Sequence, residues 1–276
     1  MFLKRSIISF IAIAAVAASM ISGSAAENGK VVIKGSTTLL PITMKGIEAF
    51  KSIKPNISIS VEGSGSGNGI KAILDGTTDI CNSSREMKKE ELEKGKVANK
   101  KIKEIAVGID MIVPIVHPSN KVKDLTTDQL KGIYDGTITN WNQVGGVDMN
   151  IVVVSRDSSS GTYEYWHESI LKKTDTTKNS LMQASNGAVV NTVANNKKAI
   201  GYIGFGYIDN SVKVTDVNSV KATLKNGKTG KYPVSRKLFM YVDQNNYSAD
   251  AKAFVEFLLS KNGQKIVAEA GFIPLK

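Results

Sequence analysis

The sequence predicts an α/β fold on three observations. Apolar runs of β-favouring residues alternate with stripes of apolar residues at helical spacing; the joints between them are short and rich in serine, threonine and glycine; and no repeat of fixed period interrupts the alternation. Residues 27–276 number about 250, ample for a large core in one or two domains. That core must hold the fold unaided, because Cys81 is the single cysteine and no intrachain disulfide can form.

The chain opens with Lys4 and Arg5, an apolar run from Ile7 to Ile21, and the small residues Ser24, Ala25 and Ala26. This is the pattern of a secretory signal peptide over residues 1–26, cut before Glu27. No cysteine stands at the cut to carry a lipid and no second long apolar span follows, so the expectation is a soluble exported protein, periplasmic rather than tethered. The formal charge is +11, or +9 without Lys4 and Arg5. The lysines of 94–103, 221–231 and 261–265 are scattered with few aromatics between them. That describes a solvated basic surface suited to small anions, not a nucleic-acid face.

From Val31 a short strand gives way to Gly35, Ser36, Thr37 and Thr38. A helix follows with Leu40, Met44, Ile47 and Phe50 on its apolar side, Pro41 in its first turn and Lys54-Pro55 beyond its end. Ile57, Ile59 and Val61 alternate as a second strand, the loop Gly63 to Gly69 follows, and Ile70, Ile73 and Leu74 begin another helix. The glycines allow close approach of a ligand, but Gly69-Ile70-Lys71-Ala72 lacks the Lys-Ser/Thr pair of a nucleotide loop. Residues 78–85 form a third strand ending in Ser83, Ser84 and Arg85, with a charged helix over Met87 to Lys94. The apolar run Met111 to Val116 contains Pro114, which argues for an edge strand or a crossover into a second domain.

Beyond it come a helix around Asp128 to Tyr134, the loop from Asp135 to Gly146, and a strand over Ile151 to Val154. The polar turn Arg156 to Gly161 follows, and then a helix with Tyr163, Trp166 and Ile170 on one face. A helix start carries unpartnered N–H groups and partial positive charge, so Ser159, Ser160 and Gly161 make a small anion site to which Arg156 adds a permanent charge. A helix near Val189 to Asn196, a glycine-laced strand from Ala199, a charged loop or hairpin over Lys221 to Lys231, and a long strand over Tyr232 to Val242 that recrosses to the first domain come next. Helices over Ala249 to Leu259 and Gly263 to Ala270 close the chain.

Polar strand ends near Ser36, Ser66, Ser84 and Arg156 thus share one composition. In open α/β sheets ligands bind beyond the carboxyl ends of strands, so these turns can converge on one pocket for a tetrahedral oxyanion. Catalysis finds little support. Gly65 occupies the serine position of a hydrolase elbow, His117 and His167 are the only imidazoles, and two histidines with one cysteine give no zinc-ligand spacing. Cys81 reads as a small buried apolar residue.

The motifs GSTTLLP, GSGSGNGI, SSR, ITNWNQVGG, SRDSSSGTY, AIGYIGFG and YPVSRKLFMYV, in this order, span nearly all of the chain after residue 26. Together they resemble the phosphate-binding proteins of bacterial phosphate ABC transporters, the PstS type. The resemblance implies a two-lobed periplasmic-binding-protein fold (type II, clamshell) with hinge strands. Lobe 1 is expected over 27–112 and 236–276, and lobe 2 over 113–235. It further implies a monomer without catalysis or cofactor that captures inorganic phosphate and delivers it to a membrane ABC permease. By motif it places Arg156, Ser160, Gly161 and Thr162 on phosphate from lobe 2. From lobe 1 it places Ser66 and the turn of Ser36, Thr37, Thr38, Leu39 and Leu40, with backbone N–H groups from Thr38 to Leu40. Well-known members of the family carry an aspartate at the end of the third strand that accepts the proton of phosphate and excludes sulfate; here that position is Ser84. Asp110 is the candidate stand-in, with Asp157 second and expected to pair with Arg156. A receptor for another oxyanion (sulfate, molybdate, a phosphate ester), a secreted phosphohydrolase and a basic adhesin remain as alternatives.

Overall fold

A computed structural model describes residues 29–275, and the expected signal peptide lies outside them. The elements run β1 (Gly29–Gly35), α1 (Leu40–Lys51), β2 (Ile57–Gly63), α2 (Ser66–Leu74), β3 (Ile80–Ser83), α3 (Lys89–Val97), β4 (Ile102–Val116), β5 (Asp124–Leu125), α4 (Thr127–Asp135), β6 (Val152–Arg156), α5 (Gly161–Ser169), β7 (Leu181–Gln183), α6 (Asn186–Ala194), β8 (Ala199–Gly204), β9 (Lys213–Val214), β10 (Asp216–Val217), α7 (Leu224–Lys228), β11 (Ser235–Asp243), α8 (Ala249–Leu259) and α9 (Lys261–Glu269).

Strands pair in the order β2-β1-β3-β11-β4-β8-β6-β7, with β9 also on β4 and β5 paired to β10. β1, β2 and β3 are mutually parallel at one end, and β6, β7 and β8 at the other. The long strands β4 and β11 lie between these sets and run antiparallel to each other. Their register sets Ser83 at the end of β3 opposite Phe239, Arg236 opposite Asp110, and Gly204 at the end of β8 opposite Ile112. The carboxyl ends of both parallel sets therefore face each other across the middle of β4.

Hydrophobic burial divides along the same line. One cluster holds Val31, Ile33, Phe50, Leu238 and Phe254; another holds Ile112, Ile115, Trp141, Trp166, Val189 and Tyr202. The result is the two-lobed α/β architecture with β4 passing through both cores. Burying each large side chain contributes about 1.5–3 kcal/mol relative to exposure. In the second core Trp166 of α5 stacks on Tyr202 of β8 at 4.5 Å with Tyr134 edge-on, which pins the α5 helix to the sheet.

Some elements differ from expectation. Residues 221–231 include the helix α7 instead of a hairpin, because Thr223 caps it by accepting from the Asn226 N–H. Of the two readings for Pro114, the edge fails and the crossover fits: it sits opposite Tyr202 in β4, which contributes to both cores, and its carbonyl accepts from the Thr215 N–H on the other side. α6 begins at Asn186, three residues before the apolar stripe, because Ser185 caps it from the polar side.

Candidate functional site

Helix starts converge where the strand ends face each other. β1 runs into a 3-10 turn over Thr37–Leu39 that leads to α1, β2 into α2, β6 into α5 and β7 into α6. Each start leaves N–H groups without helical acceptors and carries partial positive charge, so the cleft between the lobes is electropositive before any side chain is counted.

Arg156, at the end of β6, is 1% exposed. Its Nε donates to the Gln183 carbonyl and its Nη2 to the Ala184 carbonyl, each at 2.9 Å, while Nη1 is buried with no partner. The Tyr202 hydroxyl accepts from the Arg156 N–H at 3.2 Å and contacts Ser155 Oγ at 3.0 Å, so the stacked aromatic core fixes the strand end. Burial draws the Arg156 pKa below its ordinary value, yet a guanidinium stays charged in proteins. Its hydrogen-bond partners are neutral carbonyls, so the cation is desolvated without a paired anion. At the adjacent start of α5, Ser160 caps by accepting from the Tyr163 N–H at 3.2 Å. The Gly161 and Thr162 amides occupy the first two helical positions, where no carbonyl one turn earlier is available.

The lobe-1 wall meets this one directly. Thr38 Oγ1 lies 3.0 Å from Thr162 Oγ1, and the Gly67 N–H donates to the Ser159 carbonyl at 2.9 Å. Ser66 Oγ accepts from the Ser84 N–H at 3.0 Å and lies 3.3 Å from Ser84 Oγ. A Cβ added to Gly161 would stand 2.4 Å from Ser66 Oγ, 2.8 Å from Ser66 Cβ and 2.9 Å from Ser84 Oγ. The walls therefore close on one another only because that position carries no side chain.

The Ser36–Leu40 turn is built differently from expectation. Ser36 Oγ accepts from the Thr38 N–H at 3.2 Å, the Leu39 N–H reaches the Ser36 carbonyl at 3.3 Å, and the Leu40 N–H bonds the Thr37 carbonyl. Ser36 thus caps the turn and the Leu39 side chain belongs to the lobe-1 core, leaving the Thr37 and Thr38 hydroxyls as the groups presented to the cleft.

The carboxylates also fall elsewhere. Asp110 is fully buried and pairs with Arg236, not Arg156: its Oδ2 accepts from Arg236 Nη2 at 2.9 Å and Nε at 3.2 Å, and its Oδ1 accepts from the Phe205 N–H at 3.0 Å. Burial pushes the Asp110 carboxyl up from its usual range, and the Arg236 charge beside it opposes that rise. Asp157 turns back to accept from the Ser159 N–H at 2.9 Å and from the Ser159 hydroxyl. Arg85 is turned aside as well, making a bidentate pair with Glu91 at 2.7 and 2.8 Å. Cys81 is wholly buried, and burial pushes its thiol pKa up.

Two residues missed in the sequence complete the cluster. Arg236 Nη2 also donates to Thr162 Oγ1 at 2.9 Å, and Nη1 to the Gly161 carbonyl at 3.2 Å. Asn186 Nδ2 donates to Thr37 Oγ1 and Thr38 Oγ1 at 3.1 and 3.2 Å, while its Oδ1 accepts from the Gly204 N–H. Arg236 stands beside the equally cationic Lys237, so nothing local singles it out as the buried one, whereas Ala184-Ser185-Asn186-Gly187 is a further polar strand end.

Known proteins share this architecture. A family model described as a PBP superfamily domain matches residues 21–262. The phosphate-binding protein PstS of Borreliella burgdorferi is 33% identical over 262 residues, 91% of this chain and 92% of that one. A Clostridium perfringens crystal structure with bound phosphate, described as a putative phosphate ABC transporter substrate-binding protein, is 40% identical with a TM-score of 0.86, covering 90% of this chain and all of that one. An ABC-type phosphate transport receptor from Vibrio cholerae is 31% identical with a TM-score of 0.72, covering 88% and 99%.

Proposed function

The chain belongs to the PBP superfamily and to its PstS-type phosphate-binding branch, and from that membership we propose that it captures inorganic phosphate between its two lobes and hands it to an ABC permease. It is a receptor, not an enzyme. The observation that carries this reading is the desolvated Arg156, whose Nη1 has no protein partner and which stands next to the open amides of α5. A buried cation in such a place is stabilised by an anion with several acceptor oxygens. Arg156, Ser160, Gly161 and Thr162 form the lobe-2 side of the site; Thr37, Thr38, Ser66 and Ser84 form the lobe-1 side, on a turn that Ser36, Leu39 and Leu40 hold in place. Asp110 belongs to the site as the counter-ion that holds Arg236.

We assign lobe 1 to 27–112 and 236–276 and lobe 2 to 113–235; the two hydrophobic clusters divide near these bounds, with Met111, Ile112 and Ile273 packing in the second. The protein works outside the cytoplasm, its leader removed near Ala26. This rests on the charged-then-apolar N-terminus and on the transport role of the family, and among the described residues no helix is long and apolar enough to cross a membrane.

Titration calorimetry tests the reading. Phosphate is expected to bind one to one, and Arg156→Ala to weaken it by about 30- to 1000-fold, equivalent to about 2–4 kcal/mol for a charged hydrogen-bonding partner in a desolvated site. Unchanged phosphate binding in Arg156→Ala would remove this site from consideration.

A further inference from the structure

We propose that the Ser66–Ser84 hydroxyl pair sets the specificity of the cleft, so that it takes tetrahedral oxyanions whether or not they carry a proton, sulfate and arsenate as well as phosphate. The inference rests on the phosphate-site reading above and concerns the same site.

Acceptors in the cleft are nearly all spoken for. A carboxylate has roughly four lone-pair positions. On Asp110, two are taken by Arg236 and one by the Phe205 amide, and the side chain is wholly buried against Arg236. Asp157 is occupied by its own turn. The threonine hydroxyls are committed too. Thr38 Oγ1 receives Asn186 Nδ2 at 3.2 Å, and Arg236 Nη2, whose two hydrogens go to Asp110 and Thr162, lies 3.4 Å away, so the Thr38 proton is the group left to donate. Thr162 Oγ1 receives Arg236 Nη2 at 2.9 Å and faces Thr38 Oγ1 at 3.0 Å; once that contact is made by the Thr38 proton, its own proton is directed elsewhere. No carboxylate in the cleft is therefore available to demand a proton from the ligand.

The serine pair is different, because each hydroxyl can reverse. Ser66 and Ser84 are both fully buried, and Ser66 Oγ already accepts the Ser84 N–H. In one arrangement Ser84 O–H donates to Ser66 Oγ, Ser66 O–H donates to the anion, and a free lone pair on Ser84 Oγ accepts the proton of a hydrogen phosphate. In the other, Ser66 O–H donates to Ser84 Oγ and Ser84 O–H donates to a bare oxyanion oxygen. A hydroxyl exchanges these roles by rotation alone, so both ligand forms are satisfied. An aspartate at position 84 would instead face an unprotonated oxygen with like charge and no hydrogen bond.

Calorimetric titration of the wild-type protein with phosphate and, separately, sulfate at mildly acidic and mildly alkaline pH decides the matter. The expected result is sulfate binding within about tenfold of phosphate, and Ser84→Asp weakening sulfate by about a hundredfold or more while phosphate stays within about tenfold. Wild-type sulfate binding weaker than tenfold below phosphate overturns the proposal. So does a Ser84→Asp protein that melts like wild type and keeps its sulfate affinity. Ser84→Ala decides if the aspartate variant does not fold: a loss of about tenfold for both phosphate and sulfate supports a hydroxyl that serves either form, and a loss confined to phosphate, or no loss for either anion, overturns it. Absence of binding by either anion would overturn the phosphate-site reading itself, whereas phosphate binding without sulfate overturns this inference alone.

Discussion

Arg156 and Arg236 show how differently two buried arginines are used. Arg236 is matched by Asp110 at 2.9 Å, with side-chain exposures of 2% and 0%, so its charge is cancelled locally and its remaining donors hold the Gly161 carbonyl and the Thr162 hydroxyl. Arg156 is matched only by carbonyls and keeps its charge for the cleft. Removing one member of a buried pair strands the other, so Asp110→Ala is expected to lower stability by about 3–5 kcal/mol, and adding Arg236→Met to recover most of it. Urea unfolding checks both; a loss under about 1 kcal/mol for Asp110→Ala would mean that Arg236 finds water instead. At this scale residue identity was legible and pairing was not. Arg156 declared itself by standing before Ser-Ser-Ser-Gly, whereas Asp110 and Arg236 are 126 residues apart and only the β4–β11 register makes them neighbours.

The α5 helix is the element on which closure turns. Its first turn carries the Gly161 and Thr162 amides on one side and Glu164 on another, so the helix proposed to hold the anion also reaches the other lobe. Glu164 Oε2 stands 3.0 Å from Arg85 Nε, without hydrogen-bond alignment there, and 2.8 Å from Lys88 Nζ. Arg85 is held in turn by Glu91 at the start of α3. Burial pushes the Glu91 carboxyl up, but bonds from the Arg85 guanidinium and the Lys88 amide outweigh it and leave the pKa below the ordinary range. These charges adjoin a hollow of about 460 Å³ lined by Arg85, Lys88, Glu164, Tyr165 and Arg236. The Lys88–Glu164 pair, with Lys88 half-exposed, contributes about 0.2–1 kcal/mol and is screened by salt, while Arg85 keeps its bidentate pair with Glu91 when Glu164 is neutralised. Glu164→Gln is therefore expected to weaken phosphate binding by up to about fivefold at low ionic strength and to lessen the salt dependence, measured by calorimetry at two salt concentrations. An unchanged salt dependence would assign the bridge to fold stability and not to closure.

For the whole molecule the closed arrangement depends on one missing side chain. With Ser66 Cβ 2.8 Å from where a Cβ of residue 161 would lie, Gly161→Ala cannot bring α5 and α2 together as they stand. Alanine is otherwise well suited to a helix start, so the lobes themselves should be unaffected. The expected outcome is a melting temperature near that of wild type without phosphate, phosphate affinity lower by about a hundredfold, and no compaction in X-ray scattering when phosphate is added. Compaction equal to wild type would show that the serines give way instead.

What the sequence determined by itself was the alternation of strand and helix, the polar turns at Ser36, Ser66, Ser84 and Arg156, and the chemistry those turns can offer. These are local properties, written in hydrophobic period and in the residues that begin helices. The tertiary structure decided which groups are free. Hydrogen-bond capacity is finite, and whether Asp110 has any left for a ligand depends on Arg236 and the Phe205 amide, brought in from distant stretches of the chain. Arg156 keeps a donor to spare because its own lobe supplies two carbonyls and no carboxylate, a fact of packing that no stretch of sequence contains.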